Sequence, residues 1–123
     1  MVAHVVHKNA KGELAVVAVL IRKGKSNSAL APVFDHFPAA GTTESVVAGT
    51  TFNVGDLLPV SRGYFTFDGS LTTPPCSENV RWFVLKSAVE ASENQLKQFG
   101  ARYAGNARPT QQLNGRTVEE SRN

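Results

Sequence analysis

The sequence predicts a mainly β fold with short helices, an α+β architecture, on three observations. Apolar runs of strand length recur at residues 2–7, 14–21, 64–67 and 80–85, separated by stretches rich in Gly, Pro, Asn and Ser. Helical signals are confined to two short segments, near residues 30–37 and 92–99. The hydrophobic fraction of 41% fits an ordinary globular chain rather than a disordered one.

Residues 2–7 read as the first strand, and Lys8-Asn9-Ala10-Lys11-Gly12 supplies a turn. Residues 14–21 carry apolar side chains on both faces, the pattern of a strand interior to a sheet, and the short Gly-containing connection makes a hairpin of the two. After the polar loop Lys23-Gly24-Lys25-Ser26-Asn27-Ser28, Leu30, Val33, Phe34 and Phe37 recur at helical spacing and Pro38 ends the segment. A Gly/Thr-rich loop and Leu57-Leu58-Pro59 lead to Tyr64-Phe65-Thr66-Phe67, a strand with aromatics on both faces. Residues 68–78 are expected to form a long loop, and 80–85 a further strand. Ser92 and Gln95 have the spacing of an N-cap and capping box for a helix through Phe99. The tail from Asn106 is irregular, with Arg116-Thr117-Val118 expected to pair as an edge strand. No repeat, low-complexity tract or linker divides the chain.

At 123 residues the chain is one domain or part of one. Chains of this size bury roughly two-thirds of the surface that their unfolded state exposes, enough for a modest core. The net charge of +3 comes from scattered lysines and arginines without a basic run or interleaved aromatics, so no nucleic-acid partner is expected. The longest apolar run, residues 14–21, is far short of the roughly 18–20 residues of a membrane span, so no membrane partner is expected either. The N-terminus carries no basic segment followed by an apolar stretch, hence no signal peptide. Met1 leads straight into strand-like sequence, which points to a missing upstream portion. The first strand would then lack an outer neighbour, and association through exposed sheet edges is expected.

The three histidines are candidate metal ligands. Side chains alternate faces along a strand, so His4 and His7 point oppositely and cannot share one site. Val2 and Val6 share the His4 face, and a histidine among valines is also the pattern of a hydrogen-bonded core residue. His36, beside Asp35, reads as a surface residue. No HxH or HExxH arrangement is present. The run Gly69-Ser70-Leu71-Thr72-Thr73-Pro74-Pro75-Cys76 is more distinctive: the prolines fix their own φ and hold the preceding residues extended, so a stiff loop presents two hydroxyls. Such a loop can aim a hydrogen bond at a reacting group, or can be a surface turn that simply needs Gly and Pro. Cys76, the single cysteine, reads as a small buried hydrophobe or as half of a disulfide. A nucleophilic role is disfavoured by the preceding proline pair and by the absence of a nearby histidine.

Taken together, four segments resemble the α-class carbonic anhydrases. They are Ala3-His4-Val5-Val6-His7-Lys8-Asn9, Leu14-Ala15-Val16-Val17, Gly69-Ser70-Leu71-Thr72-Thr73-Pro74-Pro75-Cys76-Ser77-Glu78, and Asn106-Ala107-Arg108-Pro109-Thr110-Gln111-Gln112-Leu113-Asn114-Gly115-Arg116. Their order and separations are also similar to the family's. The resemblance covers nearly the whole chain but only the C-terminal half of the family's domain, so residues 1–123 are read as a single partial domain. It implies part of a large, mostly antiparallel twisted sheet with zinc at the bottom of a cleft, and the reversible hydration of carbon dioxide to bicarbonate. By position, His4 resembles the third zinc-binding histidine and Thr72 the threonine that hydrogen-bonds zinc-bound hydroxide. Thr73 resembles the cleft residue that contacts bicarbonate. Val6, Val16, Leu71, Val80 and Trp82 resemble the apolar pocket for carbon dioxide. His7 resembles a structural histidine facing away from the metal, in agreement with the strand alternation.

The sequence also departs from that pattern. The family's first two zinc histidines form an HxH pair, which is absent here, as are an upstream glutamate partner of the threonine and a proton-shuttling histidine. A catalytic zinc takes three protein ligands and water, so the chain alone is expected to be inactive. Val2 stands where many members carry a glutamate that orients the third histidine. The competing reading is a carbonic-anhydrase-like binding module that has lost its zinc site; an unrelated β-rich interaction domain would leave the multi-segment match to coincidence. The Thr-Thr-Pro-Pro-Cys context is similar to members with a disulfide to an upstream cysteine. With the bacterial wording around Lys8-Asn9 and Ala107-Arg108-Pro109, that implies a periplasmic or secreted protein.

Overall fold

The computed structural model describes residues 1–38 and 46–122. Among these residues six strands, two helices and one 3₁₀ turn follow in chain order. β1 spans Val2–Lys8, β2 Leu14–Lys23, α1 Ala31–Phe34, the 3₁₀ turn Val54–Leu57, and β3 Tyr64–Ser70. β4 spans Glu78–Leu85, β5 Val89–Ala91, α2 Glu93–Gly100 and β6 Glu119–Glu120. The Gly/Thr-rich loop expected after Pro38 lies largely at 39–45, outside the described residues.

The sheet runs β1-β2-β4-β3-β6, with β5 against the far end of β2. β1 and β2 form the expected antiparallel hairpin, in register from Val2↔Leu20 to Lys8↔Leu14. β2 pairs parallel with β4 and β5, whereas β3 pairs antiparallel with β4 and β6, so the sheet is mixed. β2 is interior, which is why its residues are apolar on both faces.

Alternation along β2 divides the core. Val19 and Ile21 join Leu30, Phe34, Leu57, Leu85 and Ala91 in a cluster on one face, against which Leu96 and Phe99 of α2 pack. Val16 and Ala18 join Val80 and Trp82 on the other face, flanked by Leu14, Phe67, Leu71 and Val84. Both helices cover the first face. The second keeps apolar residues open to solvent, with Val6 55% and Leu20 42% exposed.

Local capping chemistry appears where the sequence puts it. The Ser92 hydroxyl accepts from the Gln95 N–H, and the Gln95 side chain accepts from the Ser92 N–H, closing a capping box at α2. The Gln95 amide reaches further, accepting from the Asn27 N–H at 3.0 Å and donating to the Asn27 carbonyl at 2.8 Å. It thereby ties the β2–α1 loop to the helix start.

Three local expectations need correction. The loop expected over residues 68–78 is shorter, because β3 continues to Ser70 and β4 begins at Glu78. A β-bulge permits this: the register moves from Gly69↔Val80 to Ser70↔Glu78, leaving Asn79 extra, with a left-handed φ of 62°. The edge strand expected at 116–118 forms just beyond that segment, at Glu119–Glu120. The Arg116 guanidinium is instead committed to the carbonyls of Asp68, Gln112 and Leu113. β5 has no counterpart in the sequence reading; three residues are too few to show a period.

Candidate functional site

The open face of the sheet gathers most of the candidate residues. His4 pairs with Ala18 on β2, and Val6 with Val16, so both β1 side chains rise on the face of the Val16–Ala18–Val80–Trp82 cluster. Ala18 contributes only a methyl group, leaving room for the imidazole to reach β4. There the His4 ring meets Trp82 edge-on, with ring centroids 4.9 Å apart and planes at 82°. The residue as a whole is exposed, yet its ring is crowded enough that desolvation lowers its pKa below the ordinary histidine value of 6.5. The shift favours the neutral imidazole, the form that ligates a metal.

Trp82 is anchored on both sides. Its ring stacks on Phe67 at 6.3 Å, and its indole Nε1–H donates to the Ser70 carbonyl at 3.0 Å. Gly69 makes that approach possible, because a Cβ there would lie 2.9 Å from the Trp82 ring.

The loop bearing Thr72 and Thr73 begins directly beyond this anchor. Leu71 packs against the apolar cluster, and its N–H donates to the Ser77 carbonyl at 2.9 Å, closing residues 71–77 at their base. The Cys76 N–H donates to the Thr73 carbonyl at 2.8 Å. The Pro74–Pro75 peptide is cis and Cys76 has a left-handed φ of 56°. Thr72 and Thr73 are exposed on this closed loop. Leu71, immediately before Thr72, thus joins the loop to the face that carries Val16, Val80, Trp82 and His4.

The other histidines stand apart from this face. His7 pairs with Ala15 and projects from the opposite side, as strand alternation requires. There it lines a polar cleft with Asp68, Glu78, Arg81, Arg108 and Arg116. Within this cleft Arg81 pairs with Asp68 at 3.1 Å, and it also reaches Glu119 at 3.2 Å. His36 Nδ1 lies 2.8 Å from the Pro32 carbonyl oxygen. Among the described residues no group of three or more His, Cys, Asp or Glu is placed to hold a metal. On this face His4 supplies one imidazole, and a catalytic zinc takes three protein ligands, so the residues described do not make up the set.

The family model for eukaryotic-type carbonic anhydrase matches residues 3–122, almost the whole length of the chain. The chain belongs to the carbonic anhydrase family. A carbonic anhydrase of Klebsiella pneumoniae is 46% identical over 122 residues, which cover 98% of this chain and 49% of that protein. The α-carbonic anhydrase of Photobacterium profundum superposes with a TM-score of 0.87 at 46% identity, over 95% of this chain and 54% of that one. The complex of the Thermovibrio ammonificans enzyme with the inhibitor sulfanilamide gives 0.88 at 40% identity, over 95% and 52%. The chain thus spans about half the length of the carbonic anhydrases it matches. No helix among its described residues is long and apolar enough to cross a membrane.

Within this carbonic anhydrase chain, four residues of the site carry no signal of their own in the sequence. Gly69 and Ser70 read only as the lead-in to the threonines, Asn79 borders the expected loop, and Arg108 is one letter of the tail motif. Their roles depend on pairings across 12 residues for Trp82 with Ser70 and 38 for Arg108 with Ser70. No local pattern reports contacts of that range.

Proposed function

We propose that this chain forms one wall of a carbonic anhydrase active site, and that the complete domain interconverts carbon dioxide and water with bicarbonate and a proton. The observation that carries the reading is the single sheet face on which His4 touches Trp82 beside Val16, Val80 and Leu71. In this reading His4 is one zinc ligand, and two further imidazoles come from outside these residues. Zinc held by three neutral imidazoles lowers the pKa of bound water to about 7 and so supplies a nucleophile near neutrality.

The remaining work falls to this chain's side chains. Val6, Val16, Leu71, Val80 and Trp82 form the apolar wall that accepts carbon dioxide, a small uncharged molecule that needs no hydrogen-bond partner. The Thr72 hydroxyl orients the attacking oxygen by a hydrogen bond, and orientation of this kind removes part of the entropic barrier. Thr73 contacts the bicarbonate product. Residues 1–123 act as a single partial domain, and by themselves hydrate carbon dioxide little or not at all. A disulfide through Cys76, the chain's one cysteine, and with it a periplasmic or secreted setting, belongs to the same reading.

The test is a chimera in which the part of the Klebsiella pneumoniae relative outside the match is joined to this chain. The chimera is expected to bind one zinc and to hydrate carbon dioxide, and His4→Ala to lose both. The unjoined chain is expected to show neither stoichiometric zinc nor hydration. A fully active unjoined chain, or a chimera indifferent to His4→Ala, contradicts the proposal.

A further inference from the structure

Arg108 lies in the irregular tail, 38 residues from Ser70 in sequence, yet its guanidinium Nη1–H donates to the Ser70 hydroxyl oxygen at 2.8 Å. The same nitrogen lies 3.4 Å from the Leu71 carbonyl oxygen. The Ser70 hydroxyl donates onward to that Leu71 carbonyl at 3.1 Å, while the Ser70 carbonyl accepts the Trp82 indole N–H at 3.0 Å. The hydroxyl and carbonyl of Ser70 and the carbonyl of Leu71 are therefore fixed within two residues of Thr72. The bulge at Asn79 sets where this point leaves the sheet.

We infer that Arg108 is a positioning residue for the Thr72 loop, acting through Ser70. The inference rests on the proposed role of Thr72, but the mechanics do not. A charged donor makes a stronger hydrogen bond than a neutral one, and a guanidinium can serve two acceptors at once from a fixed plane. The half-buried Arg108 holds the Ser70 hydroxyl in the rotamer that grips Leu71. The next residue, Thr72, thus starts from a backbone whose two preceding carbonyls are restrained. A hydroxyl that must aim at a reacting atom benefits from such support, because small misplacements cost rate steeply. Arg116 provides the internal comparison: it also joins the tail to the sheet, through the Asp68 carbonyl at 2.9 Å, but its hydrogen bonds go to neither Ser70 nor Leu71.

The experiment is amide NMR of the chain with Arg108→Ala, Arg108→Lys, Ser70→Ala and Arg116→Ala, followed by the same substitutions in the active chimera. Arg108→Ala and Ser70→Ala are expected to shift a common set of signals, the amides of residues 71–77 and the Trp82 indole N–H. Arg108→Lys, which keeps one donor, is expected to give intermediate shifts. Arg116→Ala is expected to leave the loop signals in place. In the chimera, Arg108→Ala is expected to lower kcat at least tenfold with zinc content unchanged, and Arg108→Lys to recover part of that loss. Wild-type loop signals in Ser70→Ala and Arg108→Lys overturn the inference, as do equal loop shifts in Arg116→Ala. Should Arg108→Ala fail to fold, those two milder variants still decide it. An inactive parent chimera would refute the proposed function while leaving the spectra to judge Arg108.

Discussion

The imidazole of His4 on β1 and the indole of Trp82 on β4 meet edge-to-face over the intervening strand β2, 4.9 Å between centroids. The contact removes water from the imidazole and disfavours its charged form. In the metal-free chain, His4 is expected to titrate below 6.5, and Trp82→Ala to move it back up. Between the lowered folded value and the unfolded value the unfolded chain binds more protons, so stability is full above 6.5 and declines as pH falls through that window. NMR titration of the His4 ring protons in both proteins checks the first claim, and unfolding midpoints across pH values on either side of 6.5 check the second.

Val2 stands beside His4 on the same face of β1, and its side chain is an alkyl group that can accept no hydrogen bond from the ring. A carboxylate at position 2 would offer the ring an acceptor. Val2→Glu is expected to raise the His4 pKa in the metal-free chain and to tighten zinc binding by the chimera about tenfold or more, the usual scale of such partners. Competition with a chelator measures the affinity; an unchanged or weaker affinity counts against the orientation of the ring described above.

A methyl group on Gly69 would be driven into the Trp82 ring, whose edge lies 2.9 Å from the position of that added carbon. The indole is rigid and held by Phe67 and the Ser70 carbonyl, so it has nowhere to retreat. Gly69→Ala is expected to destabilise the chain by about 1–3 kcal/mol, the cost of overpacking a close-packed site. Emission from Trp82, the chain's one tryptophan, is expected to change in parallel. Denaturant unfolding followed by fluorescence reads both.

Ser92→Ala removes the hydroxyl that caps α2 and frees one half of the capping box. The expected loss is about 0.5–2 kcal/mol, at the upper end if Gln95 also releases Asn27. Ser92→Thr is expected to keep most of the stability, and thermal unfolding of the pair measures the difference.

What is legible in the sequence is local. Strand alternation by itself puts His4 and His7 on opposite faces, and the Ser92–Gln95 spacing locates the start of α2. Residues apolar on both sides of β2 reveal an interior strand. The parallel pairing of β2 with β4 joins Val16 to Trp82 across 66 residues, and periodicity is silent on partners so far apart. The bulge at Asn79 disguises the start of β4 as loop, because a left-handed residue near prolines and glycine reads as a turn. In the candidate site, the histidine and the threonine loop each have an ordinary structural explanation. The packing of Leu71, at the head of that loop, on the cluster that holds Trp82, and the hold of Arg108 on Ser70, exist only once the sheet has assembled.

The proposed activity depends above all on the His4 imidazole being a zinc ligand on the face shared with Trp82. The most direct measurement is the zinc position in crystals of the chimera, located by anomalous scattering at the zinc edge. Zinc is expected about 2.0–2.1 Å from a His4 ring nitrogen, on the side of the sheet that carries Val16 and Leu71. Zinc bound by other residues, with the His4 ring turned away to solvent, would contradict that role.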